Sequence, residues 1–488
     1  QINHQVNVRA GSAYETFHGG HDVLFAPDAT YLPVDLQYGP DGAVYVIDWS
    51  DIQHCHNPRD EVWDRSNGRL YRVSWAATWR PAKVNLGARS DTELAALHLH
   101  RSEWHVRVAR RLLQHRAAQR ALEPAAVAAL RRQAANTADE VSTQLRALWT
   151  LHATRNLDDA LLGSALGHAS GTVRAWAVQL ATERPDKLRL SADQLAALAR
   201  TDASPAVRLA VAAAIPALPV AERWIPAAAL ANRGEDNGDR FLPKMTWFAL
   251  APGVGGDLAR ALELAAATPL REVADSILWF VSRTAEGREQ VAARLAAWPA
   301  ETAARALRVL AFSLENDAGL TAPLSWPAAA RRFADSKDPG LRGAVEQLSA
   351  LFGDKSVLGP VRTRLADATT PLVERRRALD LLRRAGDTES AALLVSLLED
   401  RDLRSAVIPL LGISADNARA AEGLITRFGS FGGADRNAAL AAFTSRPALA
   451  LPLLRAVEAG RFDRQFLTAL HARQLRRLND PQVNAALD

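Results

Sequence analysis

Residues 48–64 concentrate side chains able to hold a cation or act as a nucleophile. Asp48, Asp51, Asp60 and Asp64 offer the hard oxygens that calcium takes, while His54, Cys55 and His56 are softer donors. From this set Asp48, Asp51, His54 and His56 are the candidate metal ligands. In an extended chain His54 and His56 point to opposite faces, so one ion takes both only if the chain turns between them. The plainer alternative is that Asp48 and Asp51 satisfy backbone donors at a strand end and that Asp64 to Asn67 form an Asx-type turn. A second cluster, HGGHD, spaces His18 and His21 across a glycine pair and adds Asp22 as a third donor, with an ordinary surface loop as the alternative. Cys55 as a nucleophile requires a partnered base and a lowered thiol pKa, and the two histidines are near it in sequence only.

The elements that must position these groups are strands. Val34 to Tyr38 and Ala43 to Asp48 alternate in polarity and are joined by Gly-Pro-Asp-Gly, a hairpin signal. A third run, Gly68 to Val73, comes after a long polar loop, giving an antiparallel, propeller-blade-like sheet over residues 1–85. Three such strands are not a stable domain by themselves, so either more strands precede residue 1 or this piece packs on the later part of the chain. In a blade of this kind the loop after Asp48 and the residues Tyr31 to Pro33 share one rim.

Residues 90–488 read differently: Ala and Leu recur at helical spacing between loops marked by Pro, Gly and Asp. An arginine followed within two residues by a small residue, and in most cases preceded by an apolar one, recurs at Arg107, Arg146, Arg174, Arg208, Arg342, Arg376, Arg404 and Arg436, at the spacing of paired-helix repeats. The expected architecture is mainly α, a HEAT-like α-solenoid with a short N-terminal antiparallel β segment and an irregular insertion at 220–256. Arg208 and Arg342 are expected to reach acids in the loops just before them, Asp202 and Asp338, and so tie repeat to repeat. The run Arg375 to Arg377 and the pair Arg331 and Arg332 read as solvated faces. The single tryptophans Trp104, Trp149, Trp176, Trp224, Trp247 and Trp279 read as core fillers, and His98, His100, His105 and His115 as packing residues of the first helices.

Composition narrows the chemistry. With 59 basic and 54 acidic residues the net charge is only +5, and phosphate binding needs a clustered basic face, so the balance speaks against a nucleic-acid partner. One cysteine excludes an intramolecular disulfide and any multi-cysteine zinc or iron–sulfur site, and the chain has no CxxCH for covalent haem. There is no apolar run long enough to span a bilayer, so no membrane-spanning segment is expected. A first residue of Gln is expected to mark a processed or truncated chain.

LPVDLQYGPDGAVYVIDWSD followed by DRSNGRLYRV resembles the closing blade of the glucose/sorbosone dehydrogenase-like propellers. More closely, the chain resembles the haem-binding dehydrogenase-like proteins of planctomycetes and related bacteria, in which a propeller is followed by HEAT-like repeats and a cytochrome c segment. EWHVRVARRLLQHR, Glu103 to Arg116, fits that family's first repeat, and DNGDRFLPKMTWFAL, Asp236 to Leu250, its mid-array insertion. The resemblance implies the C-terminal part of an oxidoreductase-like parent from the periplasm or a secreted setting. Here the repeats are expected to be a non-catalytic scaffold for a protein partner or for the remaining blades. Calcium and pyrroloquinoline quinone are implied for the intact parent, which would then be a sugar or alcohol dehydrogenase. A nucleic-acid-binding repeat protein is the other alternative and predicts a continuous arginine stripe.

Overall fold

The computed structural model describes residues 2–28, 30–49, 66, 68–184, 187–317 and 319–488. Two hairpin systems open the chain. β1 (Gln5–Ala10) pairs antiparallel with β2 (Ala13–His18), setting Val6 opposite Phe17 and Val8 opposite Glu15. This hairpin was not among the strands expected from the sequence; the alternation Val6, Val8 and the left-handed Gly11 (φ 57) at its turn are the signals that carry it. β3 (Pro33–Tyr38), β4 (Val44–Asp48) and β5 (Arg69–Val73) form an antiparallel sheet in chain order, within a residue of the expected strands. Leu36, Val46 and Tyr71 lie side by side on one face, and Ile47 and Leu70 on the other.

Among the described residues every regular element after residue 90 is a helix, and the described chain divides into two compact units, residues 1–277 and 278–488. In the first unit, one layer holds α1 (Asp91–Ala96), α3 (Pro124–Ala135), α5 (Asp159–Leu166), α7 (Ala192–Thr201) and α9 (Trp224–Ala231). The other holds α2 (Glu103–Gln119), α4 (Val141–Ala153), α6 (Gly171–Thr182), α8 (Pro205–Ala214) and α10 (Leu242–Val254). Within the second layer α4 packs on α6, α6 on α8 and α8 on α10, while α3 pairs with α4 and α5 with α6 across the layers. Most of these helices therefore meet both their hairpin partner and the helix two further on, which is the geometry of a HEAT-like solenoid. The stretch 220–256, expected as an irregular insertion, contains α9 and α10, and these pack on α7 and α8 as regular members. α11 (Leu258–Ala267) comes next, and the division falls within α12 (Arg271–Ser282).

The second unit repeats the arrangement. α13 (Ala285–Ala297), α15 (Trp326–Ala334), α17 (Leu358–Ala366), α19 (Ala391–Ser396), α21 (Asn417–Arg427), α23 (Pro447–Glu458) and α25 (Pro481–Leu487) alternate with the even-numbered helices. These are α14 (Ala300–Ser313), α16 (Pro339–Leu351), α18 (Leu372–Arg384), α20 (Arg404–Ile413), α22 (Gly433–Phe443) and α24 (Ala469–Arg476). α14 packs on α16, α18 on α20 and α20 on α22, and among the odd-numbered helices α19 packs on α21 and α21 on α23.

Local sequence explains where these helices start. Ser90 and Glu93 make a reciprocal capping box, as do Ser191 and Gln194. Pro124, Pro205 and Pro339 occupy first-turn positions that need no N–H, and Asp338 accepts from the N–H groups of Gly340 and Leu341. Inside α8 the buried residues Val207, Val211, Ala212 and Ala214 recur at helical spacing, and their small side chains let α6 and α10 approach.

Candidate functional site

Of the expected rim, the end of β4 and the residues leading into β3 lie among the described residues and meet at Asp48. Asp48 is fully buried by its side chain; one oxygen accepts the Leu32 N–H at 2.7 Å and the other lies 2.9 Å from Arg69 Nε. Arg69 also bonds the Thr30 hydroxyl and carbonyl and pairs with Asp28 at 3.2 Å, so it binds the chain leading into β3 to the ends of β4 and β5. Tyr31 is buried edge-on to Tyr71 at 5.5 Å, and burial, with the Asp48 charge behind it, pushes its phenol pKa up. A guanidinium thus already sits where a cation would meet Asp48. Asp51, His54, Cys55, His56, Asp60 and Asp64 lie outside the described residues. His18 ends β2 with Nε2 3.6 Å from Asp22, and His21 is exposed in the following turn. Among the described residues no three His, Cys, Asp or Glu side chains converge as a metal cluster.

The β1–β2 hairpin is tied to the array by a contact that local sequence does not announce. The Ser12 N–H and hydroxyl each donate to Asp239 at 2.7 Å, and the same carboxylate accepts from the Phe241 and Leu242 N–H groups that begin α10. Burial works to raise the Asp239 pKa, and the four donors outweigh it and hold the carboxyl below its ordinary range. Gly11 permits this approach twice over, by its positive φ and because a Cβ there would stand 2.3 Å from Asp239 Oδ2. Gly11→Val should therefore release the hairpin while leaving the Asp239 cap of α10 intact. Hydrogen exchange is expected to speed up over residues 5–18 and not over α10; unchanged protection of the hairpin would refute the latch.

The arginine ladder exists, with its acids assigned differently. Arg174 holds Asp202 through two bonds of 2.7 Å, and Arg208 holds Asp236 through bonds of 2.6 and 2.5 Å; each acid lies 28 residues further along the chain. The carboxylate of the loop before α8 is thus taken by the preceding repeat, and Arg208 takes only the Asp202 carbonyl, at 2.8 Å. Asp338 likewise pairs with Arg308, and Arg342 donates to the Ser336 carbonyl. The cause is the stack: neighbouring second-layer helices set their N-terminal loops side by side, so an arginine one turn into a helix reaches the next loop. Arg375, expected on a solvated face, is instead buried and bonds the Leu365 carbonyl and Asp400; Arg376 beside it is exposed. Trp224 is buried and Trp149 meets Trp176 edge-to-face at 4.9 Å, as core fillers do, whereas Trp279 is 43% exposed. His98 is a core residue, fully buried against the Thr150 hydroxyl at 2.6 Å.

Two surfaces remain open. In the second unit a groove of about 410 Å³ runs over α16 between α14 and α18. Four of its arginines are matched by acids: Arg308 with Asp338, Arg364 with Glu346, Arg377 with Glu374 and Arg384 with Asp380. Its fifth is Arg342, and Phe312 stands 64% exposed on its wall. The other surface is the β segment. Val34, Leu36, Ile47, Leu70 and Trp75 are all at least 44% exposed, as are Val8 and Phe17 of the hairpin.

No protein-family model and no curated protein sequence matches the chain. Among solved structures it is similar to the crystal structure of Kap121p bound to Pho4p, at 13% identity and a TM-score of 0.44, over 81% of this chain and 45% of that one. It is also similar to yeast importin-β (Kap95p), at 12% identity and a TM-score of 0.34, over 81% of this chain and 66% of that one. The chain therefore spans under half of the first protein and about two thirds of the second.

Proposed function

We propose that this protein is an interaction scaffold: a helical array that holds a β-sheet surface against which a protein surface packs. The observation that carries the reading is the sheet β3–β4–β5, which presents large apolar side chains on both faces, Leu36 on one and Ile47 with Leu70 on the other. A sheet apolar on both faces is one built to be covered on both, and contiguous exposed apolar surface of this kind marks an interaction site. The resemblance of residues 32–73 to a closing propeller blade suggests the covering surface: neighbouring blades of a dehydrogenase-like parent. In this reading the array positions the blade and takes no part in chemistry.

The double variant Leu36→Lys with Leu70→Lys tests it. Because both side chains are exposed, the melting temperature of the chain alone should stay nearly unchanged, as surface substitutions generally leave it. Association with the covering protein, read by gel filtration of the intact assembly, should be lost. A large drop in stability of the chain alone, or an assembly that survives two buried lysines, would exclude the proposal.

A further inference from the structure

The ladder position recurs on α6, α8, α16, α18 and α20, and among these five Arg342 is the rung that lacks an acid or ring. Arg174, Arg208, Arg342 and Arg404 each donate back to the carbonyl six residues earlier. On the other side Arg174 and Arg208 hold carboxylates, Arg375 at the corresponding place in α18 holds Asp400, and the Arg404 guanidinium lies 5.6 Å over the Phe431 ring. Arg342 has neither an acid nor a ring among the described residues, and it lines the groove of the second unit. Asp367, at the 25-residue spacing that joins Arg375 to Asp400, is turned instead to Thr369 and Thr370.

The groove floor points the same way. Gly343 lies inside α16, where glycine weakens a helix, yet a Cβ there would meet nothing within 4 Å. Without a Cβ, Gly343 leaves room for a second backbone to approach α16 at the groove.

We infer that this groove binds an extended segment of a partner protein, whose Asp or Glu side chain completes the Arg342 rung and whose adjacent large apolar side chain covers Phe312. The other four groove arginines already have acids, so charge complementarity calls for a single carboxylate and not an acidic run. A nucleic-acid backbone, which needs a row of free cations, does not fit.

The test uses the full chain and hexapeptides blocked at both ends, with a central Asp-Phe, Asn-Phe or Asp-Ala pair, in fluorescence anisotropy with a neutral dye. The Asp-Phe peptide should bind roughly ten- to a hundred-fold tighter than the Asn-Phe peptide, the value of one charge-assisted hydrogen bond. Arg342→Gln should remove that difference. Because Arg342 also holds the Ser336 carbonyl, Gly343→Leu supplies a second reading that leaves the rung whole and should weaken both peptides by filling the floor. The inference fails if the Asp-Phe peptide shows no saturable binding, if Asn-Phe binds equally, or if the preference survives in Arg342→Gln. It fails too if a peptide with its sole carboxylate at the C-terminus, or a single-stranded oligonucleotide, binds more tightly.

Discussion

Arg208→Met is expected to destabilise the first unit by about 3–5 kcal/mol, the usual cost of leaving one buried charge without its partner. Arg208 and Asp236 side chains are only 3% and 4% exposed, and the guanidinium makes two bonds to the carboxylate and one to the Asp202 carbonyl. Burial works to lower the Arg208 pKa, and the hydrogen bonds to Asp236 outweigh it, so the guanidinium is charged in the fold. With the arginine gone, the Asp236 carboxylate keeps its desolvation cost and loses its compensation. Arg208→Lys should rescue little, because an ammonium cannot present the two parallel donors. The double variant Arg208→Met with Asp236→Leu should recover most of the loss, since it removes both charges. Urea unfolding followed by tryptophan fluorescence measures all three. A single variant within about 1 kcal/mol of the parent, a margin ordinary for exposed sites, would show that the rung contributes little.

A second large effect is expected from pH. Burial, with Arg110 and Arg146 nearby, lowers the His98 pKa from 6.5 to about 4, against a smaller opposing contribution from the Leu94 carbonyl. The imidazole is held neutral between that carbonyl at 3.2 Å and the Thr150 hydroxyl at 2.6 Å. A neutral ring with its proton on Nδ1 donates to Leu94 and accepts from Thr150. Because the folded pKa lies below the unfolded one, the unfolded chain takes up a proton first as pH falls. Stability is therefore full above about pH 6.5 and declines toward about pH 4, by about 3 kcal/mol in total. Asp91, which the hydrogen bond from Arg120, with help from Arg116, holds to about 2, acts only below the ordinary aspartate range, so the two windows are separable. His98→Gln should flatten the decline between about pH 7 and pH 4.5 relative to the parent. Parallel curves would mean that His98 does not titrate on unfolding.

Features set by neighbours in the chain are legible in the sequence, because the rules that form them are local. The Gly-Pro-Asp-Gly turn, the strands around it and the helical recurrence of Ala and Leu each arise from the conformational preference of a few consecutive residues. The sequence also carried the arginine period. It did not carry the partners: Asp202 stands six residues before Arg208 in the chain, yet its carboxylate belongs to Arg174, because stacking brings successive loops together and chain proximity does not. The same holds for Arg375, one charge in an exposed-looking run until the Leu365 carbonyl and Asp400 close over it.

The contacts behind the proposed scaffold and groove are of this second kind. Ser12 meets Asp239 across 227 residues. Among the described residues Arg342 is left without an acid while four neighbouring arginines are matched, and the β3–β5 sheet exposes apolar side chains on both faces. By itself the sequence determined the element types, the repeat length and the supply of charges. Only the tertiary structure decided which charges neutralise each other and which face outward, since a side chain's partner is set by where the stack places it, and that position depends on every helix between.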